Sequence, residues 1–458
     1  MPVVLSRRAA LGSVLAAAGA SCGPADPREK ARTSSDSGGP GPGQIDHIII
    51  VMMENRSFDH YLGARALVEG RTDEDGLRAD LSNPTAGGEA VTPFASAEPC
   101  VHDPPHSWGS SHDQWNEGAN DGFVRAYANS GAPAEGRGAM AYQQRADLPI
   151  TWALADNFCV ADRYFCSVMG PTWPNRLYGH MASSQGKTNN SFPGGSAFTE
   201  KTVWKALEEA GLEWGYYYAD LPYIGVFADH WNDTRVFTFD RFAEHVANGR
   251  LAPVVWIDPA FSYNDNHPPH HPGLGELFLA GIYEALASSP IWERCLLILT
   301  YDEHGGFFDH VPPPTTDDDR ASDGFDQMGF RVPTLFVGPW VKQGVDHSTY
   351  DHTSWIKYVC ERFGLEPWNR RLQAAQSIAG CLDVDRMARG EPLPAVPLPA
   401  FVFDESAVGP ECFYSRTPAH LEALAERARD QGIPVVFPDP VAARAPFLAE
   451  WRRRGLIT

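Results

Sequence analysis

Two apolar runs of the chain end abruptly in acidic and amide side chains. IIIVMM (48–53) has no polar position to face water and reads as a strand buried on both faces, and LLIL (296–299) reads as a second buried strand. WGYYYAD (214–220), APVVWIDP (252–259) and VPTLFVGPWV (332–341) are further strands by the same pattern. Between them the period changes. KTVWKALEEAG (201–211) and GELFLAGIYEALASSP (275–290) carry apolar residues at helical spacing and stop at Gly211 and Pro290. Strands alternating with helices predict a mostly parallel, layered α/β sheet, and no stretch repeats another.

The polar residues at the strand ends are the first sign of chemistry. IIIVMM runs into Glu54 and Asn55, and LLIL into TYDEHGGFFDHVPPP (300–314), which holds Asp302, Glu303, His304, Asp309 and His310. Such groups are costly to bury unpaired, so their place beside buried strands calls for a partner that favours negative charge and imidazole, a bound cation being the simplest. Gly305 and Gly306 let the chain turn sharply there and leave room for a ligand against the backbone. In open α/β sheets ligands bind at the carboxyl ends of the strands. GPTWPNRLYGH (170–180) adds a third piece. Pro174 suits the first turn of a helix continuing through NRLYGHMASS, so Thr172 lies at or near its N-terminus. Free N–H groups there favour a phosphate or an oxyanion and help an alkoxide form. A plain N-cap is the competing role for this threonine.

The two ends of the chain differ from its middle. Residues 1–22 place Arg7 and Arg8 ahead of the apolar stretch LGSVLAAAGA and Cys22, the pattern of a twin-arginine export signal, with Cys22 where a lipid-modified cysteine would sit. The stretch is shorter than the ~20 apolar residues that span a bilayer. Residues 23–44, rich in Gly, Pro, Ser and charge, read as a flexible linker, and 45–390 as the domain that carries the candidate site. Residues 391–458 open with the proline-rich EPLPAVPLPAFVF and include the amphipathic helix TPAHLEALAERARDQG (417–432), an appendage packed on that domain. The expected location is secreted or in the cell envelope. A formal charge of −21 and a pI near 5.1 argue against nucleic acid as a partner. Seven cysteines follow Cys22, an odd number that leaves a thiol over unless Cys22 pairs; no spacing suits a zinc site, and Cys295 reads as a core thiol.

MENRSFDHYLG (53–63), GPTWPNR (170–176), NHPP (266–269), YDEHGGFFDHVPPP (301–314) and YDHTS (350–354) together resemble, in that order, motifs of the phosphoesterase family that includes bacterial and plant phospholipases C and a bacterial acid phosphatase. The resemblance spans residues 45–367 and implies an alkaline-phosphatase-like three-layer α/β/α sandwich with a mostly parallel central sheet. It also implies that Glu54, Asn55, Asp302 and Glu303 hold one divalent metal together with Thr172, and that Thr172 attacks phosphorus to give a phosphothreonine that water hydrolyses. A threonine hydroxyl is a poor nucleophile at neutral pH, and coordination to a cation lowers its pKa without an adjacent base. The all-oxygen set suits a hard ion such as calcium, magnesium or manganese. Three carboxylates and an alkoxide outweigh a divalent ion, so protonated histidines are expected beside the phosphate. His106, in DPPHSW, and His267, in NHPP, match active-site histidines of the family and are assigned phosphate binding and proton donation to the leaving oxygen. Asn175, His304 and His352 lie inside matching motifs as substrate-binding candidates, and Asp309 and His310 as a second metal pair or as loop supports.

Asn266 stands where the family usually has an acidic residue before HPP, and the following His270 and His271 read as a solvated loop. The leading reading is a secreted, metal-dependent phosphodiesterase of phospholipase C type that cuts the glycerol-side ester of phospholipids. An acid phosphatase with the same nucleophile and metal is the alternative, and a non-catalytic cation-binding envelope protein is a third. The partner is then a phosphate-ester substrate. Membrane contact is peripheral at most, since no long basic amphipathic helix marks a lipid-binding face, and no protein partner is implied.

Overall fold

The computed structural model describes residues 44–193, 197–228, 230, 233–401, 408–430, 432, 433, 435 and 449. The export signal with Cys22, and the linker up to residue 43, lie outside the described residues. Eight strands form one sheet: β1 (His47–Met53), β2 (Cys159–Ala161), β3 (Trp214–Tyr218), β4 (Val236–Thr238), β5 (Val254–Asp258), β6 (Cys295–Tyr301), β7 (Leu335–Val337) and β8 (Gly344–Asp346). Their spatial order is β8-β2-β7-β6-β1-β5-β3-β4. Strand β7 pairs antiparallel with both β6 and β2, while the other pairings are parallel. The expected mostly parallel sheet is therefore present. Periodicity does not reveal β2, β4 and β8, which have three residues each, too few to show a period.

Every residue of β1, β5 and β6 is buried, so both faces of the sheet are covered. The helices that matter to the site are α1 (Trp108–Trp115), α2 (Pro149–Asn157), α3 (Thr172–Met181), α4 (Val203–Glu209), α5 (Pro272–Ala287), α6 (Ser354–Phe363) and α7 (Ala419–Asp430). His180 of α3, Trp204 of α4 and Trp355 of α6 gather around Trp256 of β5, with ring centroids 4.2, 6.5 and 5.9 Å away. A second group joins α5 to α2. The buried Glu276 carboxylate of α5 accepts the N–H groups of Ile150 at 2.6 Å and Thr151 at 2.9 Å, meeting the free donors and positive dipole end of α2. The result is an α/β/α sandwich.

The C-terminal segment joins the same core. Leu421, Leu424, Ala425 and Ala428 of α7 are buried in it, and a disulfide links Cys412 to Cys100 with 5.0 Å between Cα atoms. Cys159, Cys166, Cys295, Cys360 and Cys381 are buried free thiols, as expected for Cys295. Among the described residues no helix is long and apolar enough to cross a membrane.

Candidate active site

Strands β1 and β6 are parallel neighbours with Met53 opposite Tyr301, so both chains leave the sheet at one level. Glu54 and Asn55 thereby come to lie beside Asp302 and Glu303. The N–H of Asp302 donates to Met53 O at 3.0 Å, the N–H of Arg56 to Glu303 O at 3.0 Å, and the N–H of Asn55 to Asp302 Oδ1 at 2.9 Å. Asn55 adopts left-handed backbone with φ 57° to make this crossing. Gly305, at φ 63°, passes so close that a Cβ would lie 2.2 Å from Asn55 O. Only glycine fits there.

Thr172 is the first residue of α3 and Pro171 is its N-cap, which removes the plain capping role. The loop before it is braced by Asn175. Its side-chain oxygen accepts the N–H of Val168 at 3.0 Å, and its amide donates to the carbonyls of Val168, Gly170 and Pro171 at 3.2, 2.9 and 3.3 Å. Asn175, expected at the substrate, is thus committed to shaping the turn that presents Thr172. One helical turn after Thr172, the buried Arg176 donates from Nε to Glu54 Oε1 at 3.2 Å and lies 3.6 Å from Asp302 Oδ2. Its other nitrogens reach Asp258 Oδ1 at 3.0 Å and Met52 O at 3.0 Å. Residues four apart on a helix share a face, so Thr172 and the guanidinium that grips the strand-end carboxylates lie on one side of α3. Sequence reasoning assigns Arg176 nothing, although it closes the motif GPTWPNR.

Charge is crowded here. Burial and then Asp302 push the carboxyls of both Glu54 and Glu303 well above their ordinary values, and burial raises Asp302 in spite of Arg176. Three buried oxygens, Asn55 Oδ1, Asp302 Oδ2 and Glu303 Oε1, have no hydrogen-bond partner among the described residues. Buried oxygens are normally satisfied, and a hard divalent cation is the partner that oxygens alone would suit. Among the described residues, three groups bring His, Asp or Glu ligand atoms within 4.8 Å of one another: Asp103–His106–His267, Asp59–Asp309–His310 and Glu208–His230–Asp233. Glu54, Asp302 and Glu303 stand outside these tight groups, with Arg176 bridging two of them.

The two expected catalytic histidines are brought together, with ring centroids 5.7 Å apart. A carbonyl can only accept, so His106 donates through Nδ1 to Pro104 O at 2.7 Å and His267 through Nδ1 to Pro268 O at 2.5 Å. Nε2 is thereby the accepting nitrogen of each ring, and in His106 it takes the hydrogen bond of the Asn55 side-chain amide. His106 Nε2 lies 3.1 Å from the Asn55 amide and 3.7 Å from Glu303 Oε1. Burial, and then His106, push the His267 imidazole well below its ordinary value. That shift favours the neutral ring, and the buried cation beside the carboxylates is Arg176. A cavity of about 410 Å³ opens elsewhere, between Thr315, Met328, Ser348 and Ala374, and holds none of these residues.

The phosphoesterase family model matches residues 45–366, well over half of the chain. The chain belongs to the phosphoesterase family. It is 33% identical over 399 residues to phospholipase C B of Mycobacterium tuberculosis, covering 71% of this chain and 75% of that one. It is also 33% identical over 363 residues to non-specific phospholipase C1 of Arabidopsis thaliana, covering 71% and 68%. The family and these relatives identify a hydrolase of phosphoric ester bonds. Among solved structures, an alkaline phosphatase superfamily protein from Vibrio parahaemolyticus aligns over 73% of this chain and 69% of its own at 9% identity and a TM-score of 0.39.

Other residues of the phosphoesterase motifs support the site from behind. His352 Nε2 donates to the carbonyl of Asp302 at 2.6 Å, and burial takes its imidazole down to about 4. His304 is buried with Nε2 2.7 Å from Gln114 Oε1 and its ring 4.6 Å from that of Phe330. Of these two substrate-binding candidates, His352 thus bonds the residue that follows β6 and His304 bonds α1. Asp309 and His310 belong to a closed ionic network. Arg331 donates to Asp309 Oδ1 at 2.8 Å and Asp59 Oδ1 at 3.1 Å, and His310 meets Asp59 Oδ2 at 2.6 Å and Asp75 Oδ1 at 3.1 Å. Arg331 is thus already bonded to two carboxylates of this group. His270 and His271 are not a solvated loop. His270 is fully buried with Nδ1 2.5 Å from Asp265 Oδ1, and His271 caps α5 by accepting the N–H of Gly273 at 3.0 Å.

Proposed function

We propose that this phosphoesterase is an exported, metal-dependent phosphodiesterase of phospholipase C type, cutting the glycerol-side ester of phospholipids. The observation that carries the reading is the tie made by Arg176 between the strand-end carboxylates and the helix that starts at Thr172. Glu54, Asn55, Asp302 and Glu303 would hold the ion with Thr172, and their oxygen donors suit calcium, magnesium or manganese. When bound, the ion lowers the pKa of a coordinated hydroxyl and offsets phosphate charge.

The chain supplies the remaining chemistry. Neutral His267 takes the Thr172 proton at Nε2 while Thr172 Oγ1 attacks phosphorus. The bond from phosphorus to the glycerol oxygen breaks, and that oxygen takes a proton from Nε2 of a protonated His106, which in that state no longer accepts the Asn55 amide. Water then attacks the phosphothreonine, giving a proton to His106, and the freed Thr172 oxygen recovers its own from His267. Export is supported by the Arg7–Arg8 pattern and by the Cys100–Cys412 bond, since disulfides persist in oxidising compartments.

The test is a side-by-side assay of the purified protein on phosphatidylcholine and p-nitrophenyl phosphate, with and without chelator. The expected result is turnover of the lipid that chelation stops and a hard divalent ion restores. Turnover of the monoester alone would make the protein a phosphatase, and turnover of neither would make it a non-catalytic binding protein.

A further inference from the structure

The C-terminal segment reaches the site through Tyr414. Its ring centroid lies 5.3 Å from that of His267 and 4.7 Å from that of His270, both edge-on at 66°. Tyr414 is partly buried, and its phenol is pushed well up by burial and then by the carboxylates of Asp265, Glu54, Asp103 and Asp302. Six residues further on, His420 of α7 stands edge-on to Trp173, the neighbour of Thr172, at 6.2 Å. Two features hold this segment in place: the Cys100–Cys412 disulfide, two residues before Tyr414 and six before His106, and the buried apolar face of α7.

We infer that Tyr414 forms the wall that receives the ester group remaining on phosphorus, and that this group is a cationic alcohol. The inference rests on the proposed phosphodiesterase reading. If His106 serves the leaving oxygen, the second ester group falls elsewhere around the phosphorus, and Tyr414 stands on the His267–His270 side. An aromatic ring set among carboxylates attracts a cation through its face and through their field. A phosphomonoester has no group to place there. Tyr414 is then a specificity-determining residue contributed by a part of the chain that carries none of the family's motifs.

The experiment compares wild type, Tyr414→Ala and Tyr414→Phe on two esters with one leaving group, p-nitrophenyl phosphorylcholine and p-nitrophenyl phosphate, with thermal melts to verify folding. Calorimetry of phosphocholine and inorganic phosphate binding supplies a readout that needs no turnover. The ratio of diester to monoester kcat/KM is expected to fall about tenfold in Tyr414→Ala and to stay within about threefold in Tyr414→Phe. Phosphocholine binding should weaken in step, relative to phosphate. An unchanged ratio and unchanged relative binding in Tyr414→Ala overturn the inference, as does a loss in Tyr414→Phe equal to that in Tyr414→Ala. If wild type hydrolyses neither ester yet binds phosphocholine through Tyr414, the catalytic reading fails and the binding site stands. Absence of both turnover and phosphocholine binding in wild type overturns both.

Discussion

Arg176 is fully buried with Glu54, Asp258 and Asp302 around it, and a buried charge that loses its partner is expensive. Arg176→Met is expected to lower stability by about 3–5 kcal/mol, read from denaturant unfolding, and to lower kcat at temperatures where the variant stays folded. Wild-type stability in that variant would show that the guanidinium does not hold the carboxylates. Thr172→Ala should abolish turnover while metal content and thermal midpoint stay near wild type; Asp302→Asn should lower metal content, both measured by elemental analysis beside the assay. Retained turnover in the first variant removes Thr172 from the mechanism. Glu54, Thr172, Asp302 and Glu303 were legible because costly groups follow apolar runs or open a helix within specific motifs. Arg176 was not, because an arginine inside a helical pattern is most often a solvated one, and its partner Glu54 lies 122 positions away.

At the level of elements, the flush ends of β1 and β6 work only because one loop passes against the other at Gly305. Gly305→Ala would set a methyl against Asn55 O and strain a left-handed backbone, so a loss of at least about 1–3 kcal/mol is expected together with loss of activity. Behind these ends sits the network of Asp59, Asp309, His310 and Arg331, and its pH response has a definite sign. Burial pulls the His310 imidazole down, yet Asp59 outweighs it and holds the group above its ordinary 6.5. That stabilisation is complete below pH 6.5 and is lost as pH rises through the folded value. Asp309, raised from 3.8 to about 6 chiefly by burial, likewise loses its contribution as pH rises across that interval. Asp59 runs the other way. It is lowered because His310 and Arg331 overcome burial, so its contribution is present above 3.8 and is lost as pH falls through the folded value. The buried histidines held below their ordinary value, His267 and His352 among them, pull the whole molecule the other way, so the difference between wild type and His310→Gln isolates this contribution: wild type is expected to exceed the variant in melting temperature by more near pH 6 than near pH 8, and an equal gap at both would remove His310 as the cause. The main strands and the helices α3, α4, α5 and α7 were readable from periodicity. The reversal of β7 was not, because an apolar run carries no direction.

Across the whole molecule, the candidate site residues come from segments separated by hundreds of positions, and Glu54, Asp302 and Glu303 gather at the carboxyl ends of the central strands, which is where the parallel pattern alone would place a ligand. Tyr414 is the part that no local pattern announces: its segment shows neither a motif nor a cluster of ionisable groups, and its position depends on a cross-link whose partner spacing says nothing about pairing. That cross-link makes a loop of the polypeptide. Residues 100 and 412 enclose Thr172, His267 and Asp302 within a ring of sequence separation 312, leaving Glu54 and Asn55 on the free amino-terminal arm. A single proteolytic cut anywhere inside the ring should therefore release no fragment: the nicked protein would migrate as one species in a non-reducing gel and separate into two only after thiol treatment.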